Sequence, residues 1–163
     1  MEINKVEAMS PLTWAYVGDS IYEAYIRTYL VETTNLKPHK LHIKAIDFVK
    51  AKAQAEILQK IHDKLTEKEQ EIVRRARNTQ NHHIAKNADP ADYMYATAFE
   101  GLIGYLYLSN QKERLEEILN MTTGPLVKRL RRHPLKVEWW VRFPYGSPKN
   151  KKNRKSIPFG MLF

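Results

Sequence analysis

Hydrophobic and polar positions in the first 121 residues repeat at helical spacing. Apolar side chains recur every three or four residues in five segments, and this period is typical of amphipathic helices. The predicted helices span about residues 11–31, 40–64, 66–77, 92–108 and 111–121. No segment before residue 122 alternates convincingly at the two-residue period of a strand. The pattern therefore predicts an all-α fold.

Local signals mark where these helices begin. Ser10 stands directly before a proline, which is favoured in the first turn of a helix. Thr66 is followed three residues later by Glu69, the spacing of a capping box. A polar loop over residues 78–91 separates the third and fourth predicted helices. These signals support the helix starts that the apolar period indicates.

The chain changes character after residue 121. Residues 122–163 carry eleven Lys and Arg against one acid, a net charge of +10, which leaves −1 for residues 1–121. Residues 136–143 alternate at period two and predict a strand, whereas residues 147–156 form a basic run of low complexity. We divide the chain into a helical domain, 1–121, and a basic C-terminal extension, 122–163. We interpret the extension as mobile or as a non-native appendage, with an RNA-binding arm as the alternative.

Composition narrows the class of protein. A chain of 163 residues can form one domain with a substantial core. It has no cysteine, which excludes a disulfide framework and a thiolate metal site. Neither a signal peptide nor an apolar run of membrane-spanning length is recognisable, so we expect a cytoplasmic protein without a membrane partner. Residues 37–86 hold twelve Lys and Arg against six acids, and this local excess favours a polyanionic partner.

Two strongly apolar helices each carry one acid beside a glycine. Asp19 follows Gly18 in the first helix, and Glu100 precedes Gly101 in the fourth. A carboxylate among apolar side chains is unfavourable unless it is paired or holds a metal. Because glycine lets two helix backbones approach closely, we expect the two helices to cross with the two acids facing each other. That arrangement is stable mainly with a hard cation such as Mg²⁺ between the carboxylates.

An ordinary structural role is the alternative for both acids. Asp19 could pair with Lys52 or Arg77, and Glu100 could cap a neighbouring amide. For one isolated acid an ion pair is the more frequent outcome. The matching contexts of two acids favour a metal site.

Two sequence motifs carry a resemblance to a known family. Residues 16–21 (YVGDSI) resemble the signature helix of the ribonuclease III family, and residues 99–104 (FEGLIG) resemble its second catalytic helix. The similarity covers roughly residues 10–120, without a double-stranded-RNA-binding domain. That absence, together with Arg77 and Asn78 before the long loop, is similar to the Mini-III branch.

The resemblance implies a homodimeric, all-α endonuclease domain that binds Mg²⁺, with Mn²⁺ as a substitute. Of the four acids in the family's usual cluster, Asp19 and Glu100 are present and would be the catalytic and metal-binding residues. Ala15 stands where the family usually has a glutamate, and Thr97 where it has an aspartate. A reduced acid set fits the Mini-III branch and leaves the number of metal ions open.

Three further residues are expected to support the site. Thr97 would orient a water molecule with its hydroxyl, and Lys52 would neutralise charge on the scissile phosphate. A solvated helix face is the alternative for Lys52. Glu23 lies four residues before Arg27 on one helix face, so we expect an ion pair there that supports the site indirectly.

The resemblance also implies the substrate. A homodimer would cut both strands of duplex RNA, leaving 5′-phosphate and 3′-hydroxyl ends, in the maturation of precursor large-subunit (23S) ribosomal RNA. A ribosomal protein or particle would be a further partner. The residues expected to bind RNA are Arg74, Arg75, Arg77, Asn78 and Lys86. Two alternatives stay open: a catalytically silent, ribosome-associated RNA-binding module of the same fold, and a helical dimer that binds only proteins.

Overall fold

A computed structural model describes residues 1–79 and 89–123. Within those ranges the structure is helical and contains no strand, which confirms the all-α fold. The helices are α1 (Ile3–Glu7), α2 (Pro11–Thr33), α3 (Pro38–Val49), α4 (Ala51–Ile61), α5 (Glu67–Arg77), α6 (Pro90–Leu108) and α7 (Lys112–Thr122), with a 3₁₀ turn at His62–Lys64.

Helix α6 forms the centre of the domain. It packs against α2, α4 and α5, and most of its residues from Ala96 to Leu106 are buried. Two edge-to-face aromatic pairs join it to α2, one between Trp14 and Tyr105 at 5.6 Å and one between Tyr22 and Phe99 at 4.9 Å. Such pairs stabilise a helix contact beyond the apolar area that they bury.

Two glycines set the distance between α2 and α6. A Cβ atom on Gly18 would lie 1.8 Å from the Glu100 carbonyl oxygen, and one on Gly104 would lie 1.9 Å from the carbonyl oxygen of Trp14. The expected close crossing of the two acid-bearing helices is thus confirmed. Gly101, by contrast, faces Ala76 on α5, so the glycine that complements Gly18 is Gly104.

The prediction of one helix over residues 40–64 was wrong. Lys50 is extended, with φ −65° and ψ 146°, and separates α3 from α4. The Gln54 amide nitrogen donates a hydrogen bond to the Val49 carbonyl at 2.9 Å and so pairs the last carbonyl of α3. No Gly or Pro marks this break in the sequence, and the apolar period continues across it.

The start of α5 is fixed as the sequence predicted. Glu69 N donates to Thr66 Oγ1 at 3.3 Å, and Thr66 N donates to Glu69 Oε2 at 2.8 Å, forming the capping box. The same Glu69 carboxylate accepts a hydrogen bond from Arg114 Nε at 2.7 Å, and this bond joins α7 to α5.

The short α1 was not predicted. It contacts α6, and a hydrogen bond from Trp14 Nε1 to the Val6 carbonyl at 2.9 Å joins it to α2.

Some expectations fall on residues that the structure does not describe. They concern most of the polar loop, with Lys86, and nearly all of the C-terminal extension, with its predicted strand. In the described part of the chain, no helix combines the length and the apolar character that a membrane crossing needs.

Candidate active site

The close crossing of α2 and α6 brings Asp19 and Glu100 together. Gly18 lies against the backbone of Glu100, which sets the neighbouring Asp19 beside that residue. Glu100 is half-buried, and burial together with the charge of Asp19 raises its pKa to about 7, against a hydrogen bond from Gln54 that lowers it. The two carboxylates therefore interact electrostatically.

Asp19 differs from its sequence-based expectation in one respect. It lies at the surface of the protomer rather than enclosed in the core. Partial burial is still the largest cause of its raised pKa, and the charge of Glu23 adds to it. Glu23 forms the expected ion pair with Arg27, with Arg27 Nη2 2.5 Å from Glu23 Oε1. Of these two neighbouring carboxylates on α2, Glu23 has a cationic partner and Asp19 has none among the described residues.

The ion-pair alternative for Asp19 finds no support in the described ranges, whereas Glu100 does have an amide neighbour, Gln54, which acts to lower its pKa. Over residues 1–79 and 89–123, neither Asp19 nor Glu100 forms an ion pair with a lysine or arginine. Lys52 is exposed on α4. Arg77 stacks over the Tyr95 ring, 5.8 Å from its centroid. The mutual repulsion of the two acids is therefore not offset by either basic residue that the sequence suggested.

The donor set of the site fits a hard cation. No three His, Asp or Glu side chains converge as metal ligands within the described residues, so the set consists of two carboxylates. Mg²⁺ prefers oxygen ligands and is commonly held by one or two carboxylates, with water and substrate phosphates completing its coordination. A cation between Asp19 and Glu100 would also offset the repulsion that raises the pKa of Glu100.

Thr97 lies three residues before Glu100 and is buried on the same helix. Its hydroxyl donates to the Tyr93 carbonyl at 3.0 Å, within the helix. Because the hydroxyl hydrogen is used in this bond, the Thr97 oxygen could orient a water molecule only by accepting a hydrogen bond from it.

The basic residues of α5 occupy different environments. Arg74 is exposed, and so is Asn78, the residue after the end of α5. Arg74 and Arg77 border a cavity of about 590 Å³ between α4, α5 and α6. Arg75 instead lies over the Trp14 ring, 4.7 Å from its centroid, and donates to the Glu7 carbonyl at 3.1 Å. This placement gives Arg75 a structural role that the phosphate-binding expectation did not include.

Gln54 is a residue of the site that the sequence analysis missed. Its side chain is 1% exposed on α4, donates to the Val49 carbonyl, and acts to lower the pKa of Glu100. A signal was present, because Gln54 shares the apolar face of Leu58 and Ile61 at helical spacing. A glutamine in that position is a buried polar group that needs partners.

Comparison with known sequences points to one family. The family described as "Ribonuclease III domain" matches residues 12–111, a range that includes both acids. The Mini-ribonuclease 3 of Symbiobacterium thermophilum is 50% identical over 111 residues, covering 68% of this chain and 85% of the relative. That of Enterococcus faecalis is 51% identical over 114 residues, covering 69% and 86%.

A third relative and a solved structure are also similar to this chain. The Mini-ribonuclease 3 of Staphylococcus aureus is 41% identical over 119 residues, covering 72% of this chain and 89% of the relative. An X-ray structure of a Fusobacterium nucleatum protein, 33% identical, superimposes with a TM-score of 0.64 and covers 69% of this chain and 91% of that one. The chain therefore belongs to the ribonuclease III family of endoribonucleases, and within it to the Mini-ribonuclease 3 branch.

Proposed function

We propose that this protein is a Mg²⁺-dependent endoribonuclease that cleaves double-stranded RNA, leaving 5′-phosphate and 3′-hydroxyl ends. The observation that carries the proposal is the pairing of Asp19 with Glu100 at a crossing that only glycine permits. Neither acid has a cationic partner among the described residues. Two such carboxylates are suited to binding a hard cation and a phosphate together.

Asp19 and Glu100 would hold Mg²⁺, for which Mn²⁺ could substitute. A bound divalent ion supplies an activated water and offsets the charge that develops on the phosphate. Thr97 would accept a hydrogen bond from a water through its free acceptor side. Lys52, exposed on α4, would contribute positive charge toward the RNA backbone.

A homodimer is part of the proposal. Tyr16 lies three residues before Asp19 on α2 and is 80% exposed in the protomer. We propose that a second copy of the chain covers this side chain and removes its ring from water. Two sites facing each other would then cut the two strands of one duplex.

The RNA would be read mainly by shape and by contacts to phosphate and 2′-hydroxyl groups. Arg74, Arg77 and Asn78 would provide such contacts, together with Lys86 of the loop. We propose the duplex at the ends of precursor 23S ribosomal RNA as the natural substrate, with a ribosomal protein or particle as partner and the cytoplasm as location. Residues 1–121 would form the catalytic domain, and residues 122–163 a basic extension of it.

Cleavage of a duplex RNA by the full chain tests this function. We expect defined cuts with Mg²⁺ in the wild type and a rate at least about 100-fold lower in Asp19→Asn and Glu100→Gln, since charge stabilisation worth several kcal/mol is removed. Glu113→Gln, on the exposed side of α7, is the matched control and should cleave at the wild-type rate. Cleavage that survives in both site variants would refute the assignment.

A catalytically silent RNA-binding module is the second candidate. It is favoured by Ala15 and Thr97, which occupy positions where the family usually has acids. Duplex binding without any cut over a series of Mg²⁺ and Mn²⁺ concentrations would support this candidate and exclude the enzyme.

A further inference from the structure

The C-terminal end of α5 carries a chain of side-chain contacts that ends at an exposed amide. The Arg77 guanidinium lies over the ring of Tyr95 on α6, 5.8 Å from the ring centroid. Its Nε donates a hydrogen bond to Asn78 Oδ1 at 3.2 Å. Asn78 is exposed, whereas Arg77 and Tyr95 are half-buried. An aromatic ring on one helix is thus linked through a guanidinium to a polar side chain at the surface.

The close packing of α5 on α6 brings Arg77 to this ring. Gly101 on α6 faces Ala76, and a Cβ on that glycine would lie 2.6 Å from the Ala76 methyl group. The two helices therefore approach closely at the residue that precedes Arg77. Tyr95 lies on α6 five residues before Glu100, which corresponds to about 7.5 Å along the helix axis. The helix that carries this acid thus also positions Arg77.

The ring, rather than an acid, accounts for the orientation of Arg77. Arg77 forms no ion pair with any described residue, although Asp63, Glu67 and Glu71 line the same cavity. A guanidinium this close to an aromatic centroid is attracted to the face of the ring. Stacking also restricts the plane of the guanidinium, and with it the direction of its N–H groups. The ring therefore helps to aim the Nε–H group whose hydrogen bond Asn78 accepts.

This hydrogen bond decides which end of the Asn78 amide faces outward. A guanidinium can only donate, so the amide oxygen must be the atom that accepts from Arg77. The amide nitrogen points the other way, and its two N–H donors bond no other described residue. Exposed donors of this kind are suited to oxygen acceptors of the RNA backbone, which are phosphate and 2′-hydroxyl groups.

We propose that Tyr95 and Arg77 are positioning residues that hold the Asn78 amide with its nitrogen toward the RNA, where it donates to an oxygen of the sugar–phosphate backbone. This inference rests on the RNA-binding part of the proposed function. It gives Arg77 a role that acts through its neighbour, besides the charge that it contributes. It also makes RNA affinity depend on Tyr95, a residue of α6 that need not touch the RNA.

The experiment is a double-mutant cycle in the full chain between Tyr95→Leu and Asn78→Ala. Tyr95→Leu removes the ring but no charge and no atom of Asn78. Tyr107→Leu is the matched control, because Tyr107 is also a half-buried tyrosine of α6 and no arginine stacks on it within the described ranges. The dissociation constant of a duplex RNA is measured with chelator present, kcat and KM with Mg²⁺, and stability by thermal unfolding.

We expect Tyr95→Leu and Asn78→Ala each to weaken duplex binding by about 3- to 10-fold, the loss of one hydrogen bond, and to raise KM while kcat stays within about twofold. Tyr95→Leu should have no further effect in the Asn78→Ala background, because the group that the ring positions is then missing. Tyr95→Phe keeps the ring and should restore wild-type affinity. Tyr107→Leu should lose as much stability as Tyr95→Leu and bind RNA like wild type.

The substrate distinguishes the two kinds of acceptor. If the amide donates to a 2′-hydroxyl group, Asn78→Ala should have no effect on a duplex with 2′-deoxyribose at the contacted strand. If it donates to a phosphate, the loss should be the same on both duplexes. Either result, together with the coupling between Tyr95 and Asn78, supports the inference.

The outcomes separate this inference from the proposed function. If the wild type binds and cleaves RNA but the effects of Tyr95→Leu and Asn78→Ala add, or Tyr95→Leu binds like Tyr107→Leu, the inference is overturned alone. If the wild type binds without cleaving, the proposed enzyme is refuted and the cycle still decides the inference. A wild type that does not bind duplex RNA at low salt refutes both. If Tyr95→Leu does not fold, Arg77→Lys replaces it in the cycle, since it keeps the charge and loses the planar donor.

Discussion

The Gly104→Ala substitution tests the geometry on which the site depends. The added Cβ would lie 1.9 Å from the Trp14 carbonyl oxygen, whereas ordinary contact begins at 3.4 Å. The helices α2 and α6 would have to separate by roughly 1.5 Å, the difference between those two distances. The obstacle is backbone inside a helix, so it cannot move aside as a flexible side chain could.

The expected loss of stability follows from two opposing effects. Overpacking of this kind costs about 3 kcal/mol, at the upper end of the usual range, because backbone must move. Alanine is favoured over glycine inside a helix by about 1 kcal/mol, which offsets part of that cost. The net loss of about 2 kcal/mol would lower the Tm by about 10 °C in a domain of this size.

Thermal unfolding followed by circular dichroism measures the effect, with Gly101→Ala as the control. A Cβ on Gly101 would lie 2.6 Å from the Ala76 methyl group, so α5 must shift to relieve the overlap and Gly101→Ala should also lose stability, but the crossing of α2 with α6 and the Mn²⁺ affinity should stay as in wild type. The wider crossing in Gly104→Ala should also weaken Mn²⁺ binding, since it displaces Asp19 from Glu100. A Gly104→Ala protein as stable as wild type would refute the close crossing.

Three further predictions concern single side chains. Burial and a neighbouring acid raise the pKa of Glu100 to about 7, so the metal-free folded protein retains a proton that the unfolded chain releases above its ordinary pKa of 4.5. The metal-free protein should therefore lose stability as the pH rises through that window, and Glu100→Gln should melt higher than wild type at pH 8 and equally at pH 4, measured with chelator present. Burial alone would raise the pKa of Glu69, but hydrogen bonds led by Arg114 lower it overall. Arg114→Ala should cost about 3 kcal/mol in urea unfolding at neutral pH, and the cost should shrink in acid as Glu69 becomes protonated. Arg74→Ala should weaken duplex binding and lower the slope of log affinity against log salt concentration by about one. Arg75→Ala should reduce the Tm and leave that slope unchanged, because Arg75 packs on Trp14 and bonds the Glu7 carbonyl.

The helices were predictable to the extent that their signals are local. The apolar period and the capping residues indicated α2, α5, α6 and α7 closely, because each of these helices buries a face whose spacing appears in the sequence. The break at Lys50 was not predictable in this way, since neither glycine nor proline marks it. It depends on α3 packing against α2 while α4 packs against α6.

The meeting of the two acids was predictable from the sequence, whereas their surroundings were not. The repeated pairing of an acid with a glycine suggested that Asp19 and Glu100 meet, and the crossing at Gly18 agrees with this. The exposure of Asp19, the packing of Arg75 on Trp14 and the partners of Gln54 were not evident. Each of these depends on which residue of another helix lies opposite, and periodicity along a single helix contains no such information.

The sequence by itself determined the helical class and most of the helices, and it indicated the two acids. The helices follow from local preference and the apolar period, which can be evaluated along one stretch of chain, whereas the burial expected of Asp19 was not observed. Tertiary structure alone decided that Gly104 rather than Gly101 faces α2, and that Gln54 is buried with its amide on the Val49 carbonyl. The physical reason is that a helix crossing is fixed by the shapes of two surfaces together, and each sequence segment specifies only one of them.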